Sequence, residues 1–194
     1  MILSAVKILE LNKEHNLVEG LDKRDLENPE GCGLDIRVGE VYSLEEKDGF
    51  LGVDERTTPN AIKIADIKED GNKKITLKPG EFILVKTIEK ITAPSEKVKY
   101  SENETPKYLM PHVYPRSTLQ NCGVALYCTK TDPGYSGQLR FGLANHGKRD
   151  FVFELGARMF NIVFHVVDGE LKRSYEGQWQ GGNRASIEGF EKQI

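Results

Sequence analysis

Three adjacent side chains near the middle of the sequence carry groups that bind phosphate. Arg116 is followed directly by Ser117 and Thr118, so a planar guanidinium lies beside two hydroxyl groups. A guanidinium matches the geometry of phosphate oxygens, and hydroxyls add directed hydrogen bonds to the same oxygens. The tripeptide therefore indicates either a polyphosphate site or an ordinary surface turn of the same composition.

A carboxylate follows in a Pro-Gly turn. In the segment Thr131-Asp132-Pro133-Gly134-Tyr135, Asp132 begins the turn and the Tyr135 ring lies three residues further on. A fixed carboxylate beside a phosphate site can orient and deprotonate a water molecule, which hydrolysis of a phosphoanhydride requires. The same sequence also forms simple turns in which Asp bonds its own backbone, so both interpretations stand from this segment alone.

Short strands are predicted to position these groups. Residues 34–44 alternate apolar and polar side chains, as in a strand with one buried face. Asp70-Gly71 lies between two apolar runs and predicts a tight hairpin. Ser4 can cap a short N-terminal helix whose apolar residues recur at helical spacing. Further apolar runs at residues 81–87, 139–143 and 162–167 complete a pattern typical of an all-β sandwich, jelly roll or barrel.

Composition argues against several broad classes of protein. The 194 residues, 38% of them hydrophobic, fit one globular domain. Lys and Arg number 27 against 30 Asp and Glu, and this net charge of -3 indicates neither a nucleic-acid partner nor a membrane partner. The three cysteines and four histidines form no cluster with zinc-like spacing. No secretory leader or membrane-spanning run is visible, so we expect a cytoplasmic protein.

Several segments form a recognisable series along nearly the whole chain. They are the start Met1-Ile-Leu-Ser and the segments Gly33–Gly39, Leu77–Leu84, Pro115–Leu119, Thr131–Gly137 and Gly156–Ile162. In content and order they resemble the motifs of the dUTPase and dCTP deaminase superfamily. The resemblance implies an all-β fold, a dUTPase-like jelly-roll or β-clip barrel. It also implies a homotrimer whose active sites are built from neighbouring subunits, and a deoxynucleoside triphosphate substrate bound with Mg²⁺.

The resemblance also implies a role for each residue of these motifs. Ser117 would contact the bridging region of the phosphates, while Arg116 and Thr118 would help to hold them. Asp35 would support the Mg²⁺ ion through water. Asp132 matches the catalytic aspartate of the family, which activates the attacking water.

Further substrate-binding residues follow from the same resemblance. Tyr135 matches a ring that packs on deoxyribose and excludes a 2′-hydroxyl, and Asn161 stands where dUTPases usually have a glutamine. The base would be read by the backbone of Cys128, Thr129, Lys130 and Thr131. We divide the chain into a β domain at residues 1–174 and a flexible C-terminal tail at 175–194 that closes over the site. The candidate contacts in the tail are Tyr175, Gln178, Gln180 and Arg184.

Two positions favour one of the two family reactions. Related dCTP deaminases place a proton-shuttling glutamate in the strand after the Asp-Pro-Gly turn, and here that position is Gly142. They also carry an arginine where this chain has Asn121. We therefore expect hydrolysis of dUTP to dUMP and diphosphate. The alternatives are a dCTP deaminase, alone or coupled to dUTP hydrolysis, and a non-catalytic nucleotide-sensing protein on the same scaffold.

Overall fold

The computed structural model describes residues 1–177, 179–182 and 191–192, and it contains far more strand than helix. The helices are α1 Ala5–His15, α2 Lys23–Glu27, α3 Ile67–Asp70 and α4 Ser117–Asn121. The first strands are β1 Val18–Glu19, β2 Leu34–Leu44, β3 Phe50–Leu51, β4 Glu55–Thr57, β5 Ala61–Asp66, β6 Lys74–Leu77 and β7 Phe82–Thr92. They are followed by β8 Tyr108–Pro115, β9 Val124–Tyr127, β10 Ser136–Asn145, β11 Phe151–Glu154, β12 Arg158–Val167 and β13 Glu191–Lys192.

The N-terminal helix α1 forms where the sequence predicts it. The Ser4 hydroxyl accepts a hydrogen bond from the Lys7 backbone N–H at 3.2 Å, which satisfies one of the free donors of the first turn. Its apolar face is buried against the barrel through Ala5, Ile8 and Leu11. No helix within the described ranges is long and apolar enough to cross a membrane.

The main sheet is antiparallel and closes almost completely into a barrel. Its strands lie in the order β8, β12, β2, β7, β10 and β9, while β1 pairs with β7 and β5 pairs with β2. Two small sheets, β6 with β11 and β3 with β4 and β13, lie outside this path. The predicted all-β barrel with one short N-terminal helix is therefore confirmed.

Successive side chains of β10 point alternately into the barrel core and to the outer face of the sheet. Leu139, Phe141 and Leu143 point into the hydrophobic core, where the fully buried Phe160 packs edge-on against Phe141. The intervening residues of the strand lie on the opposite face. There the register aligns Tyr42, Leu84, Gly142 and Tyr127 in one row across four strands, and Glu40, Lys86 and Arg140 in the next.

The hairpin predicted at Asp70-Gly71 is wrong. Asp66 caps a short helix by accepting from the Lys68 N–H at 3.0 Å, and residues 67–70 form the helical turn α3. The two strands on either side do not pair with each other, because β5 pairs with β2 and β6 pairs with β11. Long-range pairing therefore replaces the local turn.

Candidate functional site

Most of the described residues of the predicted site line one of two separate pockets. The larger pocket, of about 420 Å³, lies over the outer face of β7 and β10 and has a size typical of small-molecule sites. The residues of the predicted site that line it are Thr129, Lys130, Thr131, Asp132, Tyr135 and Tyr175. Its other lining residues are Phe82, Leu84, Tyr127, Gln138, Leu139, Arg140, Phe141, Gly142, Trp179 and Gly182.

The Asp132 turn lies at one side of this pocket and is held by backbone hydrogen bonds. The Gly134 N–H donates to the carbonyl of Ala93 at 2.7 Å, and the Tyr135 N–H donates to the Asp132 carbonyl at 3.2 Å. Gly134 has φ +100°, a conformation that favours glycine. The Asp132 carboxylate accepts from the ammonium of Lys130 through both of its oxygens. The turn thus presents a partly exposed carboxylate to the pocket.

Tyr135 forms a fixed wall of the same pocket. The side chain is buried, its hydroxyl donates to the Gln138 carbonyl at 2.7 Å, and its ring meets the edge of the Tyr175 ring. Burial raises the pKa of Tyr135 to about 12, so the hydroxyl stays protonated as a donor. A ring held in this way offers an apolar surface with little freedom to move aside.

The described part of the C-terminal segment lies over the pocket. The Gly181 N–H donates to the Ser136 carbonyl at 2.9 Å, and the Gln180 side chain bridges Gly134 and Ser136. Tyr175 is fixed through its backbone N–H, which donates to the Pro133 carbonyl at 2.8 Å. Two other predicted tail contacts, Gln178 and Arg184, lie outside the described residues.

The segment predicted to read the base contributes unequally. Thr129, Lys130 and Thr131 line the pocket, whereas Cys128 does not. The Cys128 thiol lies 3.6 Å from the Val113 carbonyl oxygen, and burial raises its pKa. A base at this edge of the pocket would therefore meet Thr129, Lys130 and Thr131, while Cys128 lies behind the lining residues.

The smaller pocket, of about 260 Å³, holds most of the predicted phosphate and metal residues. Arg116, Ser117, Asp35 and Asn161 line it, together with Arg24, Asp25, Asn28, Glu30 and Gly33. Ser117 opens the short helix α4, and Arg116 precedes it in extended conformation. Thr118 is exposed on that helix and lines neither pocket.

Asp35 forms ion pairs with the arginine side chains at the smaller pocket. Its carboxylate pairs with Arg116, with Arg24 at 3.3 Å and with Arg158 at 3.4 Å. The amide of Asn161 donates to the same carboxylate at 3.3 Å. Three guanidinium groups surround this carboxylate, and planar guanidiniums suit bidentate binding of phosphate oxygens.

These residues do not fit a resident Mg²⁺ ion. The carboxylate of Asp35 already faces three guanidinium groups, which would repel a dication. Asp25 adds one buried carboxylate oxygen without a hydrogen-bond partner. No group of three or more His, Cys, Asp or Glu within the described ranges could hold a metal ion, whereas Mg²⁺ takes an octahedral set of oxygens.

Several residues that line the pockets were not predicted from the sequence. Phe82, Tyr127 and Arg140 join the larger pocket through sheet register, which no local motif encodes. Trp179 is the single tryptophan and lies in a glycine- and glutamine-rich segment. A lone aromatic residue in such a segment is a sequence signal for a ligand contact. Arg24 joins the smaller pocket through α2, whose surface charges look ordinary in sequence.

The two pockets share no lining residue within one chain. Asp132 belongs to the larger pocket, and Arg116 and Ser117 belong to the smaller one. The structure therefore does not bring the predicted catalytic carboxylate and the predicted phosphate ligands into one pocket of a single chain.

The barrel places the protein in the fold class of dCTP deaminases. The solved structure of 2′-deoxycytidine 5′-triphosphate deaminase from Agrobacterium tumefaciens matches with a TM-score of 0.59 at 16% sequence identity. The match covers 86% of this chain but 48% of that one, so this chain spans about half the length of that protein. At this identity the likeness concerns the fold alone.

Sequence comparison then gives the family. The family model described as dCTP deaminase-like matches residues 2–167, and the chain belongs to this family. A probable deoxyuridine 5′-triphosphate nucleotidohydrolase from Aeropyrum pernix is 34% identical over 153 residues, covering 77% of this chain and 83% of that protein. A dCTP deaminase from Thermococcus gammatolerans is 26% identical over 171 residues, covering 88% of each. The predicted superfamily is confirmed, and its relatives carry both names.

Proposed function

We propose that this protein hydrolyses dUTP to dUMP and diphosphate. One observation carries the choice between the two family reactions. A Cβ atom placed on Gly142 would lie 2.6 and 2.7 Å from the Phe82 ring, so an aromatic ring fills the space in which related deaminases carry a glutamate. Asp132 is then the one carboxylate among the described residues that line this pocket.

The two reactions make different demands on that space. Deamination at C4 of cytosine needs a group that moves protons between water, the ring nitrogen and the departing amine. A phenyl ring has no such proton. Hydrolysis of a phosphoanhydride needs a base near the phosphate instead, and it leaves the base ring unchanged.

In the proposed reaction, Asp132 accepts a proton from water as the water oxygen attacks the α-phosphorus. The bond from that phosphorus to the oxygen bridging to the β-phosphate breaks, and diphosphate leaves. The Lys130 ammonium contacts both carboxylate oxygens, and each oxygen keeps a further lone pair that can accept from the water. Tyr135 packs on deoxyribose, and the backbone of residues 128–131 reads the base.

The phosphates are proposed to bind the smaller pocket of a neighbouring subunit in a homotrimer. Arg116 and Ser117 face that pocket with Asn161, and Thr118 would join them only with a change of orientation. Mg²⁺ is proposed to arrive with the triphosphate, since the pocket residues do not hold it by themselves. No step of the proposed reaction passes through the metal.

A second candidate is dCTP deaminase activity, alone or coupled to hydrolysis. The family model is described as dCTP deaminase-like, and the Thermococcus gammatolerans relative is named a dCTP deaminase. That activity would require another residue to carry the proton. Glu154 is one option, although it lies on β11, outside both pockets.

The deciding experiment incubates the purified protein with dUTP, dCTP, dTTP and UTP in the presence of Mg²⁺ and separates the products. We expect dUMP and diphosphate from dUTP and no ammonia from dCTP. Conversion of dCTP to dUTP or dUMP with stoichiometric ammonia would overturn the proposal. Binding without turnover of any of the four would instead identify a nucleotide-sensing protein.

A further inference from the structure

Arg140 is the charged residue of the larger pocket that the proposed reaction does not use. It lies on the outer face of β10, two residues before Gly142, and its Cα partner on β7 is Lys86. The guanidinium carbon lies 4.7 Å from the Tyr42 ring centroid and 5.7 Å from that of Trp179. Two aromatic rings thus fix its position beside the space filled by Phe82.

One buried hydrogen-bond donor of Arg140 is not satisfied. Its Nε is buried without a hydrogen-bond partner, and within the described ranges the guanidinium makes no hydrogen bond or ion pair. The other ionised groups that line the pocket, Lys130 and Asp132, pair with each other. A buried donor without an acceptor costs free energy, which a ligand carrying an acceptor recovers.

The surroundings of Arg140 favour a nucleobase as that ligand. Leu84, Phe82 and Tyr127 line the same end of the pocket and offer apolar and aromatic surface to a flat ring. The guanidiniums and hydroxyl suited to phosphate, those of Arg116, Arg24 and Ser117, lie in the other pocket. A guanidinium only donates hydrogen bonds. The base edge that it meets must therefore present an acceptor.

We propose that Arg140 is a specificity-determining residue that donates to the O4 carbonyl oxygen of uracil and disfavours the 4-amino group of cytosine. A 4-amino group would instead place its N–H donors against the N–H donors of Arg140, so no hydrogen bond could form between them. This inference rests on the proposed nucleotide site. Gly142 accounts for the absence of deamination, and Arg140 would in addition make the site prefer a pyrimidine with a 4-keto group.

The test measures binding rather than turnover. Calorimetric titration of the full chain with dUMP, dCMP, deoxyuridine and deoxycytidine compares the wild type with Arg140→Met, which keeps the stem and removes every donor. Arg140→Lys keeps the charge but loses the planar fork. Arg149→Met removes the same charge from an exposed position outside both pockets and serves as the matched control.

We expect the wild type to prefer dUMP over dCMP, and Arg140→Met to reduce that preference by about tenfold, as for one lost charge-assisted hydrogen bond. Arg140→Lys should lose part of the preference, and Arg149→Met none. The nucleosides should show the same change as the nucleotides.

Equal weakening of dUMP and dCMP, with no effect on the nucleosides, would assign Arg140 to phosphate and overturn the inference. An unchanged preference in folded Arg140→Met, or a wild-type preference for dCMP, would also overturn it. The test is independent of hydrolysis. An Arg140-dependent uracil preference in a protein that does not hydrolyse dUTP would uphold this inference and refute the proposed reaction.

Discussion

The Lys130 ammonium lies 2.7 and 2.8 Å from the two carboxylate oxygens of Asp132. Each oxygen of the proposed base therefore has one cationic partner in this structure and keeps a further lone pair. The side chains of Lys130 and Asp132 are 69% and 37% exposed, and an ion pair so open to water stabilises a fold by at most about 1 kcal/mol. A pair this weak can exchange when a nucleotide enters.

Replacing Asp132 with asparagine should abolish turnover and leave binding of dUMP nearly intact. The amide keeps the shape of the carboxylate but cannot accept the proton of water, and losing general-base catalysis costs about 10² to 10⁴ in rate. Release of diphosphate and calorimetric binding of dUMP measure the two effects. Asp150→Asn, at an exposed site outside both pockets, is the control. Near-normal turnover in Asp132→Asn would remove this residue from the mechanism.

Restoring a glutamate at Gly142 should damage the pocket unless Phe82 is shortened as well. The new Cβ would meet the far end of the Phe82 ring and lie 3.2 Å from the Cβ of Tyr127. The displaced ring of Phe82 and the added carboxylate would both take up space in the pocket, so we expect dUMP to bind more weakly. The double variant with Phe82→Ala should recover much of that loss, and Phe82→Ala alone is the reference. Equal binding by Gly142→Glu and the wild type would show that the ring does not fill this space.

The sequence correctly predicted the elements that depend on neighbouring residues, such as a capped helix or an alternating strand. The β2 strand matches the alternating residues 34–44, and α1 begins after its predicted cap, Ser4. The hairpin at Asp70-Gly71 failed because strands from distant parts of the chain compete for the same edges. Helix caps act over a few residues, whereas strand pairing depends on the whole barrel.

The site residues also fall into those that a local motif predicts and those that only strand pairing brings to the site. Asp132 and Tyr135 follow from one turn sequence, but Phe82 and Arg140 reach the pocket only through the register of β7 and β10. The family resemblance implies a role for Asp35 at Mg²⁺, but the motif sequence does not indicate which cations surround the carboxylate in the folded chain. Only the folded chain shows Arg24 and Arg158 at that carboxylate.

An alanine at Gly137 should displace the C-terminal segment. Its Cβ would lie 2.5 Å from the backbone carbonyl carbon of Gly181, and backbone atoms cannot turn aside as a side chain can. The single tryptophan, Trp179, reports the change. We expect red-shifted emission, stronger quenching by acrylamide, and about tenfold lower kcat/KM if the segment completes the site. Gly49→Ala, where the nearest atom lies 3.9 Å away, should change none of these. Unaltered fluorescence in Gly137→Ala would mean that the segment does not pack here in solution.

Cys128 should react slowly with iodoacetamide and only at raised pH. Burial raises the pKa of its thiol, so at any given pH less of the reactive thiolate is present than for a free cysteine. Cys32 and Cys122 are exposed and serve as internal references in peptide mass spectrometry. Saturating dUMP, which in the proposed site contacts the neighbouring residues Thr129 to Thr131, should slow Cys128 further and leave the other two unaffected. Protection of Cys32 or Cys122 instead would place the nucleotide elsewhere.

The predicted catalytic and phosphate-binding residues lie in two different pockets, so two inactive variants can be tested for complementation between subunits. Arg116→Ala and Asp132→Asn each damage one pocket and spare the other. If every site joins one pocket from each of two neighbours in a closed ring, equal co-assembly of the two inactive variants leaves about a quarter of the sites with both pockets intact. We expect about 25% of wild-type dUTP hydrolysis from subunits unfolded and refolded together, and none from the variants mixed while folded. No recovery after co-assembly would mean that each chain works alone, with its own two pockets serving one nucleotide.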